Sequence, residues 1–170
     1  MGVQEKDQLW GGETTKAVAN FPISGEPVPV PVLRWLGRIK GAAARVNAEL
    51  GLLDPALAER IAAGADSVAA GEHDEQFPVD VFQTGSGTSS NTNANEVIAN
   101  LAGDTAHPND HVNMGQSSND VFPSAVHLGQ RIANPQRAEP NLSRVAAELL
   151  AERDPAGPRA ARAVAERQGH

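Results

Sequence analysis

The 170-residue chain contains no cysteine and no tyrosine, and it has only two tryptophans and four phenylalanines. Without thiols, metal binding would fall to histidines and carboxylates, and the one close histidine pair, His107 and His111, has only Asp110 as a nearby acid, so no metal site is expected. There is no long hydrophobic run, so no membrane span is predicted. Positive charge is short as well: 14 basic against 21 acidic residues give a net charge of −7 and a pI near 5.2. That balance excludes the basic face that phosphate neutralisation needs, so nucleic acid is not an expected partner. The amino end, Met1 to Asp7, lacks both an apolar signal core and an Arg-rich amphipathic pattern, which predicts a cytoplasmic protein. Lys6 stands where an N-myristoylation signal would carry Ser or Thr. The most informative absence is local. From Ile61 to Gln130 there is no Lys or Arg at all, although nine Asp and Glu residues occur there.

Within that stretch lie two Ser/Gly/Asn-rich segments. The first is Gln83-Thr84-Gly85-Ser86-Gly87-Thr88-Ser89-Ser90-Asn91, a glycine-bearing turn followed by Ala94, Val97, Ile98 and Leu101 at three- and four-residue steps. This spacing predicts a helix with Ser86, Thr88 and Asn91 at or near its amino end, where unpaired N–H groups and the positive dipole suit an anion. The second runs from His107 to Asp120. It ends in Gln116-Ser117-Ser118-Asn119-Asp120, neutral donors ahead of another predicted helix that Asp120 is placed to cap. An anion held here would rest on hydroxyls, amides and backbone N–H groups, or on cations brought from elsewhere in the chain. Either segment alone reads first as a turn or a helix cap rather than a site; together they point to a ligand site.

The rest of the chain reads as helices and connectors. Leu9 to Val18 and Asn20 to Glu26 look loop-like, with Trp10 and Phe21 as apolar anchors. Pro27, Pro29 and Pro31 form an extended lead-in to a helix whose stripe is Val32, Leu36, Ile39, Ala43, Val46 and Leu50, closed by Gly51. Arg34, Arg38, Lys40 and Arg45 are expected on its solvated or subunit-facing side. Asp54 and Pro55 open a second helix with Leu57, Ile61, Ala65 and Val68 on one face, ending near Gly71. Glu72 to Phe77 is an acidic connector in which His73 is expected to be exposed. Phe77 to Phe82 is a short extended run that delivers Gln83 into the ligand turn.

The motifs Gln83-Thr84-Gly85-Ser86-Gly87-Thr88, Asn95-Glu96-Val97-Ile98-Ala99-Asn100, His107 to Asn113 and Gln116 to Asp120, in that order, resemble class II fumarate hydratase of the aspartase/fumarase superfamily. Aspartate ammonia-lyase is similar through the second and third motifs, but the Thr84-Gly85-Ser86-Gly87 form looks like fumarase. The Leu101 to Ala106 connector is shorter than the family leads one to expect, which would displace the His107 loop. The resemblance implies a mainly α fold: the N-terminal domain of the fumarase/aspartase fold over 1–128, with the start of the central helical bundle at Val121 to Leu128. It also implies fumarate or malate as ligand, bound by Ser86, Gly87, Thr88, Ser117, Ser118 and Asn119, and a second dicarboxylate site at His107, Pro108, Asn109 and Asp110. No cofactor is implied. The intact family forms homotetramers.

After Leu128 this motif resemblance ends and the composition changes. Residues 129–170 hold seven Arg and no Lys, the pattern of a frame change in a GC-rich gene, and they read as a divergent, largely disordered tail with one helical patch at Leu142 to Arg153. The family's Thr-His pair and Gly-Ser-Ser catalytic loop have no match, so no catalytic residue is expected in this chain. The expected function is therefore a fumarate hydratase fragment, a lyase of the tricarboxylic acid cycle by family, inactive alone. The alternatives are an aspartate ammonia-lyase fragment and a non-catalytic dicarboxylate-binding or subunit-interaction module, and an unpartnered stripe on the Val32 to Leu50 helix would favour self-association.

Overall fold

A computed structural model describes residues 8–133. The Leu142 to Arg153 patch and the tail beyond Ala133 lie outside the described residues. Among the described residues five α-helices carry the fold: α1 (Gly12–Asn20), α2 (Val30–Glu49), α3 (Pro55–Ala70), α4 (Thr88–Ala102) and α5 (Ser118–Ala133). A 3-10 turn (Asp74–Gln76) and a single π-helical turn (Pro108–Val112) sit in the connectors. Among the described residues the only sheet-like pairing is the isolated antiparallel bridge between Pro27 and Asp80. The mainly α expectation stands. None of the described helices is long and apolar enough to cross a membrane.

The core forms where α2 lies along α3 and meets α5, with α4 packed on α3 and against α5. Leu36, Ile61, Ala65, Val97, Ile98 and Ala125 are wholly buried there. Close approach of α2 and α3 depends on Gly37, where a Cβ would come within 2.7 Å of the Ala65 carbonyl oxygen. The α3 boundaries follow the sequence: the Asp54 carboxylate accepts the Leu57 N–H at 2.9 Å, and Gly71 ends the helix at φ 87°.

Three expectations are corrected here. Gly12 to Asn20 is helical rather than loop-like, because its cap comes from far along the chain: the Glu96 carboxylate accepts the N–H groups of Gly11, Glu13 and Thr14 and the Thr14 hydroxyl. Second, the buried face of α2 is rotated from the expected stripe. It comprises Val32, Leu33, Leu36, Gly37, Lys40, Gly41, Ala44 and Asn47, whereas Val46 and Leu50 are 50% and 66% exposed. Glycines and alanines, which a count of large apolar residues passes over, let α3 approach this face, while the Val46 and Leu50 end of the expected stripe stays exposed. Third, His73 is half-buried beside the 3-10 turn, which the Arg34–Asp74 ion pair at 2.9 Å ties to α2.

Candidate functional site

The first ligand loop is held from both ends. Gly87 is the residue before α4, at φ 67°, and the Phe122 ring of α5 lies so close that a Cβ on Gly87 would overlap it. Only glycine meets both demands. Its N–H donates to the Thr84 carbonyl and its carbonyl accepts from Asn91, so the backbone of this turn is already engaged. Since Gly87 has no side chain to cap α4, Gln83 does so: its amide oxygen accepts the Ser90 N–H at 2.9 Å while its NH2 donates to the Ser90 hydroxyl at 2.7 Å.

The second loop meets the first through hydroxyls. The Thr88 Oγ1 lies 2.8 Å from the Ser86 Oγ and 3.1 Å from the Ser118 Oγ, so three hydroxyls from segments 30 residues apart form one exposed chain. The cluster marks the first turns of α4 and α5, where the positive dipole ends of the two helices meet. Ser117 Oγ accepts the Asn119 N–H at 3.3 Å. Asp120 was expected to cap α5; it lies instead inside the first turn, and its N–H donates to the Ser117 carbonyl. Beside the cluster a cavity of about 270 Å³ is lined by Gly85, Ser86, Asn119, Phe122 and His127 among others. A larger groove of about 390 Å³ runs past Val28, Val32, Phe122 and Val126, but its walls are largely apolar and offer little to a carboxylate.

Lys40 is the residue the sequence reading misplaced. Expected on the solvated face of α2, it is wholly buried, and its Nζ donates to Asn91 Oδ1 at 2.8 Å, Gln116 Oε1 at 3.2 Å and Asn113 Oδ1 at 3.4 Å. Among the described residues no carboxylate pairs with it. Burial lowers its pKa from the ordinary lysine value to about 7. Asn91 Nδ2 donates in turn to Asn113 Oδ1, and Asn113 Nδ2 to the Gln116 carbonyl. A signal was present: Lys40 follows Leu33 by seven residues and Leu36 by four, and precedes Ala44 by four and Asn47 by seven, so it stands in register with the packed face. Of the other cations of α2, Arg38 and Arg45 face outward, Arg45 paired to Asp66 and Arg38 lying 4.7 Å from the Trp35 ring centroid, while Arg34 is half-buried against Asp74.

The histidine turn is a different kind of place. His107 Nδ1 accepts the Asp110 N–H at 3.2 Å, and the Asp110 carboxylate lies 3.1 Å from the same nitrogen. The His107 N–H donates to His111 Nδ1 at 2.9 Å. Pro108 begins the π-helical turn, and Asn109 is exposed beside it. All of these contacts stay within one turn. Among the described residues no three His, Cys, Asp or Glu side chains are grouped to hold a metal ion.

Asp80, which sequence reasoning also passed over, fixes the strand-like lead-in to the first loop. Burial would raise its pKa, but N–H groups of Phe82, Ser24 and Gly25 and the Ser24 hydroxyl all donate to its carboxylate and hold it at about 2.

The family model described as Lyase matches residues 2–153. This chain belongs to that lyase family. The matched span continues past Leu128, where the motif resemblance was drawn to a close. A class II fumarate hydratase of Halobacterium salinarum is 55% identical over 152 residues, covering 84% of this chain and 32% of that protein. The class II fumarate hydratase of Mycobacterium tuberculosis is 59% identical over 123 residues, 71% of this chain and 26% of the relative. The crystal structure of a class II fumarase from Schistosoma mansoni, 38% identical, superposes with a TM-score of 0.71 over 76% of this chain and 29% of that one. A fumarate lyase:delta crystallin structure from Brucella melitensis, 46% identical, gives a TM-score of 0.73 over 76% of this chain and 33% of its own. The chain thus spans about a third or less of the length of these relatives. The described helices are the corresponding part of the lyase fold, and the resemblance to class II fumarate hydratase stands.

Proposed function

We propose that this member of the lyase family supplies the carboxylate-binding wall of a class II fumarate hydratase, an enzyme of reversible fumarate hydration to (S)-malate. The observation that carries the reading is the junction of Ser86, Thr88 and Ser118 at the starts of two helices, over a segment with no basic residue of its own. Hydroxyls and dipole ends of this kind bind a carboxylate without neutralising it as an ion pair would, which suits a dianion that must gain and lose a proton. In this reading Ser86, Thr88, Ser117, Ser118 and Asn119 contact the ligand, and Gly87 serves by letting Phe122 close the wall. His107, Pro108, Asn109 and Asp110 form a second, outer dicarboxylate site. The chain acts in a cytoplasmic tricarboxylic acid cycle enzyme and needs homotetrameric partners for turnover. It contributes no acid–base or oxyanion-stabilising catalytic group, and alone it is inactive. The domain boundary belongs at the composition change after Leu128, with the tail a product of a shifted frame.

The test is a titration of the full chain with (S)-malate, followed by amide NMR, beside a fumarate hydration assay. Saturable shifts are expected at 86–88 and 117–119, without turnover, and Thr88→Ala and Ser118→Ala should each weaken binding about threefold to tenfold. No shift at those residues at saturating malate would refute the reading.

A further inference from the structure

We infer that Lys40 is the positioning residue of the carboxylate site, an ammonium that clamps the two hydroxyl-bearing loops together from beneath. The inference rests on the carboxylate-site reading for its function, but its geometry stands apart from it. A lysine ammonium has three N–H donors, and three amide oxygens meet Nζ: Asn91 from the first turns of α4, and Asn113 and Gln116 from the segment that leads into Ser117. Thr88 is one turn before Asn91, and Ser118 is two residues after Gln116. The residues that the ammonium holds are therefore the immediate supports of the two hydroxyls that meet at 3.1 Å.

The electrostatics argue in the same direction. A buried cation without a carboxylate partner is unfavourable in a protein interior, and an apolar residue of the same length would be the better choice for packing alone. Here the charge is solvated only by neutral amides, so its field is not cancelled locally. It lies under the longest part of the chain without Lys or Arg, Ile61 to Gln130, and its sign matches the dipole ends of α4 and α5. Lys40 is the cation brought from elsewhere in the chain. It does not touch the ligand; it acts through Asn91, Asn113 and Gln116.

The absence of any cysteine allows a clean test, because Lys40→Cys introduces the sole thiol. Alkylation of the unfolded full-length variant with 2-bromoethylamine rebuilds a lysine-length ammonium, while 1-iodopropane gives a neutral side chain of the same length. Both forms are refolded and compared at pH 5.5, where the buried amine is charged, by amide hydrogen exchange and by (S)-malate titration, with Val68→Ala as the reference for general loosening of the core. The propyl form is expected to exchange at least about tenfold faster than the aminoethyl form at 88–91 and 113–119, beyond any change shared with Val68→Ala, and to bind malate more weakly by a similar factor. Equal exchange in the two alkylated forms overturns the inference, as does loosening spread evenly over the chain. If the unmodified chain binds no malate while exchange still follows the charge, the clamp stands and the carboxylate-site reading falls. If malate binds both forms equally, the reading stands and the positioning role falls. Should the propyl form fail to refold, Gln116→Ala removes one acceptor and keeps the lysine: about threefold faster exchange at 117–119 supports the clamp, and unchanged exchange overturns it.

Discussion

The hydroxyl junction and the histidine turn are both polar, both exposed and both part of the segment without Lys or Arg, yet they are built in opposite ways. The junction is assembled from distant pieces: Ser86 and Thr88 before and in α4, Ser118 from α5, Phe122 against Gly87, and Lys40 from α2 underneath. In the histidine turn, His107, Asp110 and His111 satisfy one another within five residues. The first therefore depends on the fold, and the fold on it, whereas the second can change with little consequence for either. A site whose supports are buried is preorganised, while the polar side chains of the histidine turn, anchored to the core only through Val112, are free to adapt.

The largest effect is expected where the comparison is easiest to break. Gly87→Ala adds a Cβ at positive φ into the Phe122 ring and should destabilise the chain by about 3 kcal/mol or more in urea unfolding, scattering the amide signals of both loops.

The next tests charge rather than shape. The folded-state pKa of Lys40, about 7, lies below its ordinary value of 10.5, so the unfolded chain binds more protons between those limits. Its contribution makes stability rise with pH across that window, with a maximum slope of roughly 1 kcal/mol per pH unit, and flat on either side. Urea midpoints of wild type against Lys40→Met between pH 7 and 9.5 should diverge by that slope, with the wild type gaining. Asp80 has the reverse sign at the acid end: its pKa is held at about 2 against 3.8, so its contribution is complete above pH 4 and is lost as pH falls towards 2. Asp80→Asn should flatten that acid limb in a circular-dichroism titration while leaving the alkaline one intact.

The smallest effect belongs to the histidine turn. His107→Ala should alter stability by less than about 0.5 kcal/mol and leave the amide shifts at 86–88 and 117–119 in place, while removing any malate-dependent shift at 107–110. A loss of several kcal/mol would mean that the turn is as integral to the fold as the junction.

Local elements were legible because their signals are local. Asp54-Pro55 and Gly71 bound α3 as expected, and Thr88 to Ala102 follows from the spacing of Ala94, Val97 and Ile98. The two Ser/Gly/Asn segments are alike in their chemistry, which is legible in the sequence, whereas the Thr88–Ser118 contact between them is not. What escaped reading required a partner far along the chain. Gly11 to Thr14 carry no capping signal of their own, since the acceptor is Glu96, 82 to 85 residues away. Lys40 was assigned to solvent because a charge on a helix is usually hydrated, and nothing adjacent to it reveals three amides from two other segments.

By itself the sequence determined the helical class, the boundaries of α3, the family resemblance, and the two loops in which a dicarboxylate would be sought. Those depend on periodicity, capping residues and short motifs, which act within a turn or two of chain. Only the tertiary structure decided which face of α2 is buried, that Glu96 makes α1 a helix, and that a lysine lies beneath a segment devoid of its own cations. Hydrogen bonds to a buried group are fixed by which segments meet in space, and spacing along the chain does not encode that meeting.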